Sequence, residues 1–210
     1  MTVAPQRSAG LKKWPIVGWS SLLILVMVGA ILAVRGCGDA GLRTTIRATA
    51  FTSLLLFTAV FTASSFHQTW PSTSTRWLLR NRRYLGVSFA VSHFTHLAGI
   101  VALASTVPAF RLQAVTVIGG GLAYVFIVAM TATSFDRTAA WLGPRVWRAL
   151  HRTGAYYIWL IFLVTYLPRL AQAPLYGFMV AVLLAGVGLR GVAFVQRRRS
   201  ARSALLRPGR

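Results

Sequence analysis

Six apolar stretches recur along the chain, each about 20 residues long, which as an α-helix matches the hydrocarbon thickness of a bilayer. Short polar segments separate them. The first is long and is followed by further stretches, so it predicts a retained span and not a cleaved signal. The stretches are Trp14–Val34, Thr45–Phe66, Tyr84–Thr106, Leu112–Phe135, Val146–Leu167 and Pro174–Val195. The pattern predicts an all-α fold, a polytopic bundle of six transmembrane helices.

The same pattern divides the chain into three parts. Residues 1–13 form a basic N-terminal segment, residues 14–195 a single membrane domain, and residues 196–210 a basic tail that is expected to be disordered or bound to lipid. The loops are short, and no sequence repeat or separate soluble domain is evident. Pro144 is placed to start the helix of the fifth stretch.

Composition and charge agree with a membrane location. The chain is 56% hydrophobic, has a mean hydropathy of +0.62 and carries a net charge of +21. With the N-terminus placed in the cytoplasm, 18 of the 23 Lys and Arg residues fall on the cytoplasmic side and five on the other. This asymmetry predicts that both termini are cytoplasmic and that the protein lies in the inner (plasma) membrane, in contact with anionic lipid. It also argues against nucleic-acid binding, because no soluble basic domain is present.

Several kinds of chemistry are excluded by what the chain lacks. Asp39 and Asp136 are its only acids and lie near span ends, so paired-carboxylate catalysis is not expected. Cys37 is the single cysteine, which rules out a disulfide within the chain. No phosphate-binding loop or dinucleotide fingerprint occurs. If the protein moves electrons, both the reductant and the acceptor must therefore be supplied from elsewhere.

The four histidines are the strongest candidates for function: His67, His93, His96 and His151. His93 and His96 lie in residues 87–107, which carry no formal charge. Ionisable residues at membrane depth are rare and are commonly functional. Imidazole is a ligand for metals and for haem iron, so a ligand or proton site is predicted.

Hydroxyl groups are frequent in the second stretch, where Thr58, Thr62 and Ser65 share one helical face. Such residues commonly serve helix–helix packing. The alternative is a polar lining for a cofactor or a proton path.

Two segments resemble a known family. The sequence NRRYLGV at residues 81–87, followed by His96 in the same helix, is similar to the start of a helix in ferric reductase-like transmembrane domains. The sequence WRALHR at residues 147–152, followed by Tyr156 and Tyr157, resembles a second segment of that superfamily. The closest resemblance is to small haem-binding membrane subunits, such as that of the methionine sulfoxide reductase system. It covers residues 42–167.

The resemblance implies a b-type haem held by histidines of the third and fifth helices. His96 and His151 match the axial ligand positions of the family. The usual second histidine of the fifth helix falls near Val164 or Thr165, neither of which can replace it. One haem is therefore expected in preference to two.

The predicted depths of the histidines in the membrane do not determine which two of them pair at one iron. His96 lies 13 residues beyond Arg83, about 20 Å deeper along a helix, whereas His151 is beside its own arginines. His93 reduces this mismatch to about 15 Å. The alternatives are a His67–His151 site at the cytoplasmic side, a five-coordinate or non-histidine-ligated haem at His93 or His96, and a fold that has lost haem.

The resulting hypothesis is a transmembrane electron-transfer subunit with haem b. It would pass electrons from a quinol or a separate flavoprotein to an acceptor across the membrane, as the haem subunit of an oxidoreductase. The competing hypothesis is a non-redox membrane scaffold or assembly protein that keeps the fold without haem.

Overall fold

The computed structural model describes residues 13–108, 110 and 114–205, and every regular element in these ranges is a helix. The all-α prediction is confirmed. The helices are α1 (Trp14–Arg35), α2 (Asp39–Thr69), α3 (Thr73–Thr106), α4 (Ala114–Ala132), α5 (Asp136–Leu142), α6 (Pro144–Tyr166) and α7 (Pro174–Leu205), with a 3-10 turn at Leu167–Arg169.

Each of the six predicted stretches overlaps one of the longer helices, and α5 is an additional short helix. Four helices of the described chain, α1, α2, α3 and α7, are long and apolar enough to cross a membrane. A fifth span results if α4 and α5, which are bent by 107° relative to each other, count as one. The first half of α6 carries three arginines and a histidine, which lowers its hydropathy. The helices are compatible with a multi-pass membrane protein.

Local sequence explains several helix boundaries. Ser72 caps α3: its Oγ accepts a hydrogen bond from the Thr75 amide at 3.1 Å, and the Ser72 amide donates to Thr75 Oγ1 at 2.9 Å. This reciprocal capping box satisfies two amides that a helix start leaves unpaired. Gly143, with φ of 75°, separates α5 from α6, and Pro144 opens α6 as predicted.

Aromatic rings fill the centre of the bundle. The Phe57 ring of α2 lies 5.4 Å from Phe61, 5.6 Å from Phe89 of α3 and 5.5 Å from Phe162 of α6, between ring centroids. The outward faces are apolar as well, as on α4, where the Ile118 side chain is 73% exposed. An apolar exterior of this kind suits lipid as the surrounding solvent.

The basic tail begins as a continuation of α7. The helix runs past Val195 to Leu205, so the described part of the predicted tail is helical. Residues 206–210 lie outside the described ranges, as do residues 1–12 of the predicted N-terminal segment.

An arginine joins three helices near one end of the bundle. Arg190 of α7 donates from Nη1 to the Phe61 carbonyl of α2 at 2.6 Å and from Nε to the Tyr156 hydroxyl of α6 at 3.2 Å. Its guanidinium carbon lies 4.3 Å from the centroid of the Phe61 ring. Farther along α7, Arg197 contacts Gln68 of α2 and is followed by Arg198 and Arg199; this end of α2 and α7 is called the arginine-rich end below.

Candidate functional site

The site is built on the interface between α2 and α3, which is lined with buried hydroxyl groups. Ser53 donates to Ser92 Oγ at 2.9 Å, and Ser92 donates to the Thr49 carbonyl at 3.3 Å. At Gly99 an added Cβ would lie 3.1 Å from Ile46 Cγ1, so the two helices approach closely there. Small and hydroxylated residues permit this approach.

The hydroxyl face predicted on α2 packs against α7. A Cβ at Gly186 would lie 3.3 Å from Thr62 Cγ2 and 3.6 Å from Thr58 Cγ2. Thr62 donates back to the Thr58 carbonyl at 2.7 Å. These contacts favour the packing interpretation of the face over a polar lining.

His96 is held by the backbone of α2. Its Nδ1 lies 3.0 Å from the Ile46 carbonyl oxygen and 3.3 Å from Thr49 Oγ1. A carbonyl oxygen can only accept, so Nδ1 carries the proton and Nε2 keeps its lone pair. No residue in the described ranges hydrogen-bonds to Nε2. Metal-bound histidines are commonly oriented in this way, by a carbonyl on the nitrogen that does not bind the metal.

His93 lies beside His96 in a cage of rings. Its ring centroid is 4.9 Å from Tyr124, 5.3 Å from His96, 5.4 Å from Phe89 and 5.7 Å from Phe162. Its Nδ1 is buried and has no hydrogen-bond partner in the described structure. A buried polar atom left in this state costs about 1–3 kcal/mol. It is therefore a candidate for a proton or a ligand.

His151 lies elsewhere, on the first half of α6. Its Nε2 is 3.1 Å from Thr133 Oγ1, and its ring stacks on Trp147 with centroids 4.2 Å apart. Phe162, which touches His93, follows His151 by eleven residues on the same helix, or about 16 Å along the axis. The structure therefore does not bring His151 to His93 or His96.

His67 is also separate. It lies near the end of α2, where its Nδ1 is 3.2 Å from Thr75 Oγ1. No ring contact or hydrogen bond within the described residues joins it to His151.

The geometry limits the metal chemistry that this site can support. The described residues contain no group of three or more His, Cys, Asp or Glu side chains that could hold a metal ion. Two axial ligands must reach a haem iron from opposite sides. The rings of His93 and His96 are stacked at 24° on one face of one helix, so together they cannot bracket an iron. Of the two, His96 could hold an iron on its own, because its Nε2 keeps a free lone pair.

The motif segments also have structural contacts. Asn81 of the NRRYLGV sequence is buried, donates to the Trp77 carbonyl at 2.9 Å and accepts from the Lys13 amide at 3.2 Å. It thereby ties α3 to the start of α1. Trp147 of the WRALHR sequence donates from Nε1 to the Thr133 carbonyl at 2.9 Å, which ties α6 to the end of α4.

Sequence reasoning missed Tyr124, whose hydroxyl donates to the His93 carbonyl at 3.0 Å. The available signal was a single tyrosine in the apolar fourth stretch.

No protein-family model, curated protein or solved structure matches this chain.

Proposed function

We propose that the protein is a transmembrane electron-transfer subunit that holds one b-type haem through His96. It passes electrons from a quinol or a separate flavoprotein to an acceptor on the other side of the membrane. The observation that carries the proposal is the His96–Ile46 hydrogen bond of 3.0 Å, which fixes the proton on Nδ1 and presents Nε2 as a ligand. The ferric reductase-like NRRYLGV segment, with His96 in the same helix, supports it independently.

The proposed topology has six spans, with both termini in the cytoplasm of a cell whose inner (plasma) membrane holds the protein. The distribution of Lys and Arg supports this orientation. The packing of α6 supports its assignment as a span, since Ile158, Phe162 and Tyr166 are buried in the bundle core. Its Trp159 Nε1 donates to the Leu183 carbonyl of α7 at 3.0 Å, so that polar group is satisfied without water.

The residues around His96 and His93 have distinct roles in haem binding. The Ile46 carbonyl and Thr49 orient the His96 ring, and Phe89, Tyr124 and Phe162 keep the site apolar. A low-dielectric pocket and a single imidazole ligand tune the potential of an iron. When bound, the haem supplies one-electron transfer. The buried Nδ1 of His93 is placed to hold or pass a proton next to that centre.

Histidine variants test the ligand assignment. His96→Ala is expected to lower haem content at least about tenfold, because loss of even a residue that only orients a ligand costs about 10–100-fold in metal affinity. His151→Ala and His67→Ala should retain haem, because the structure brings neither residue to His96. A pyridine haemochrome assay on each purified variant gives the haem-to-protein ratio, and size-exclusion profiles report folding.

Two results would contradict the assignment. Full haem content in folded His96→Ala would remove His96 as the ligand. Loss of haem in His151→Ala alone would move the site to the first half of α6, where the family motif lies.

The second candidate is a non-redox scaffold or assembly protein. One observation favours it: Phe89, Tyr124 and Phe162 already surround the His93 ring at centroid distances below 6 Å. A protein of this kind would be colourless after purification from cells supplied with haem precursor.

A further inference from the structure

A polar groove lies at the arginine-rich end, between the end of α2 and the final turns of α7. It is an open groove of about 690 Å³, lined by Gln68, Thr69, Gln196, Arg197 and Ser200. Phe66 and Val195, which end two of the predicted apolar stretches, directly precede these segments. The groove therefore begins where the apolar part of the bundle ends.

Its walls are fixed by a bridge between the two helices. Gln68 donates from Nε2 to the Ala193 carbonyl of α7 at 2.7 Å. Arg197 in turn donates from Nε to Gln68 Oε1. Because this bond uses only Nε, both terminal guanidinium nitrogens of Arg197 are hydrogen-bonded to no described residue.

The other lining groups are also unengaged. Thr69 Oγ1 is buried and has no hydrogen-bond partner in the described structure. The side chains of Gln196 and Ser200 make no hydrogen bond to a described residue either. The groove thus presents several donors together and favours a ligand with several acceptor oxygens.

No carboxylate side chain of the protein is left to pair with the arginines of the groove. The whole chain has two acidic side chains. Asp39 pairs with Arg43 at 2.8 Å and Asp136 with Arg83 at 2.7 Å. No carboxylate side chain remains for Arg197 or for its neighbours Arg198, Arg199 and Arg202. No side chain of the protein therefore supplies the counter-charge for these arginines.

Apolar surfaces flank the groove and identify the source of the anion. Phe66 and Trp70 are exposed, with ring centroids 6.1 Å apart. Phe194 is also exposed, and the Arg198 guanidinium carbon lies 4.7 Å from its ring centroid. Tryptophan is enriched at the membrane–water interface, so Trp70 places the groove at headgroup level, and the exposed Phe66 and Phe194 rings offer apolar surface to acyl chains.

We propose that this groove binds the phosphate of an anionic phospholipid, with the Arg197 guanidinium on two phosphate oxygens. Planar, two-pronged contact of this kind is the arrangement in which arginine recognises phosphate. Basic pockets between helices on the cytoplasmic side suit lipid headgroups. Phosphate binding in this groove does not depend on haem and is expected equally of a colourless protein.

The test compares two lipids on the purified full chain. Native mass spectrometry after titration with dioleoylphosphatidylglycerol or dioleoylphosphatidylcholine gives the affinity for each. We expect preferential retention of phosphatidylglycerol, and a loss of at least about tenfold in Arg197→Gln, since each of its two charge-assisted hydrogen bonds alone corresponds to about that factor. Arg199→Gln is the matched control, because it removes the same charge outside the groove and should change affinity less than about twofold.

A second variant and a second probe complete the test. Ser200→Leu fills the groove without changing charge and should also weaken phosphatidylglycerol binding, while melting in phosphatidylcholine stays unchanged. Equal losses in Arg197→Gln and Arg199→Gln would overturn the proposal in favour of diffuse attraction. Displacement of the lipid by millimolar inorganic phosphate would overturn it in favour of a free-anion site.

Discussion

Phe162 is the residue whose removal most directly perturbs the packing around the histidines. Its side chain is 5% exposed. Its ring meets four others, with centroids 5.5 Å from Phe57, 5.7 Å from His93, 5.9 Å from Tyr166 and 6.4 Å from Phe89. Phe162→Ala empties this position at the junction of α2, α3 and α6.

The expected loss in the free energy of unfolding for Phe162→Ala follows from these contacts. Aromatic pairs contribute about 0.5–1.5 kcal/mol each beyond area, and Phe→Ala in a core costs about 3–5 kcal/mol. In a bilayer the reference solvent is lipid, so the apolar transfer contribution is small and packing carries the cost. We therefore expect a loss near the lower end, about 3 kcal/mol, in the free energy of unfolding.

The assay is equilibrium unfolding in mixed detergent micelles. Phe178→Ala is the matched control, because Phe178 is 51% exposed and its described ring contact is with Phe51 at 6.2 Å. It should lose less than about 1 kcal/mol. Equal losses in the two variants would refute the assignment of Phe162 to a packed centre.

Three further predictions concern the interface, a cap and the topology. Gly99→Val should destabilise the protein by about 1–3 kcal/mol and lower haem content, because the added Cβ would press on Ile46, whose carbonyl orients His96. Gly120→Val is the control: a Cβ at Gly120 would have no atom within 4 Å, so this variant should be near neutral in thermal unfolding. Ser72→Ala should cost about 1 kcal/mol in the same assay by removing the cap of α3. Cys37, the only cysteine and an exposed one, should react with a membrane-impermeant maleimide in intact cells, and labelling only after lysis would invert the proposed topology.

Helix positions were predictable because apolar length is a property of the sequence alone. The stretch Tyr84–Thr106 became the apolar part of α3, and Pro144 began α6 as expected. Helix α5 was not predicted, because Asp136 and Arg137 interrupt the apolar pattern and the chain bends by 107° there. Hydropathy indicates where a chain is apolar, but it does not indicate a bend between two helices.

The site was predictable only in part. Residue counting placed His93 about 15 Å from the level of His151, and the contact of His93 with Phe162 agrees with that separation. The sequence could not indicate that the Ile46 carbonyl faces His96, because hydropathy does not determine how each helix is rotated about its own axis. The groove could not be predicted from the sequence either, because Gln68 and Arg197 are 129 residues apart and meet only through the packing of α2 on α7.

Haem in this bundle is tested most directly by one absorption spectrum. The detergent-purified protein, from cells supplied with haem precursor, is measured oxidised and then after dithionite reduction. A bundle that holds one haem through His96 should show a Soret band, sharp α and β bands on reduction, and a haem-to-protein ratio near one. A featureless spectrum in both states would contradict it and leave the histidines as packing residues of a membrane scaffold.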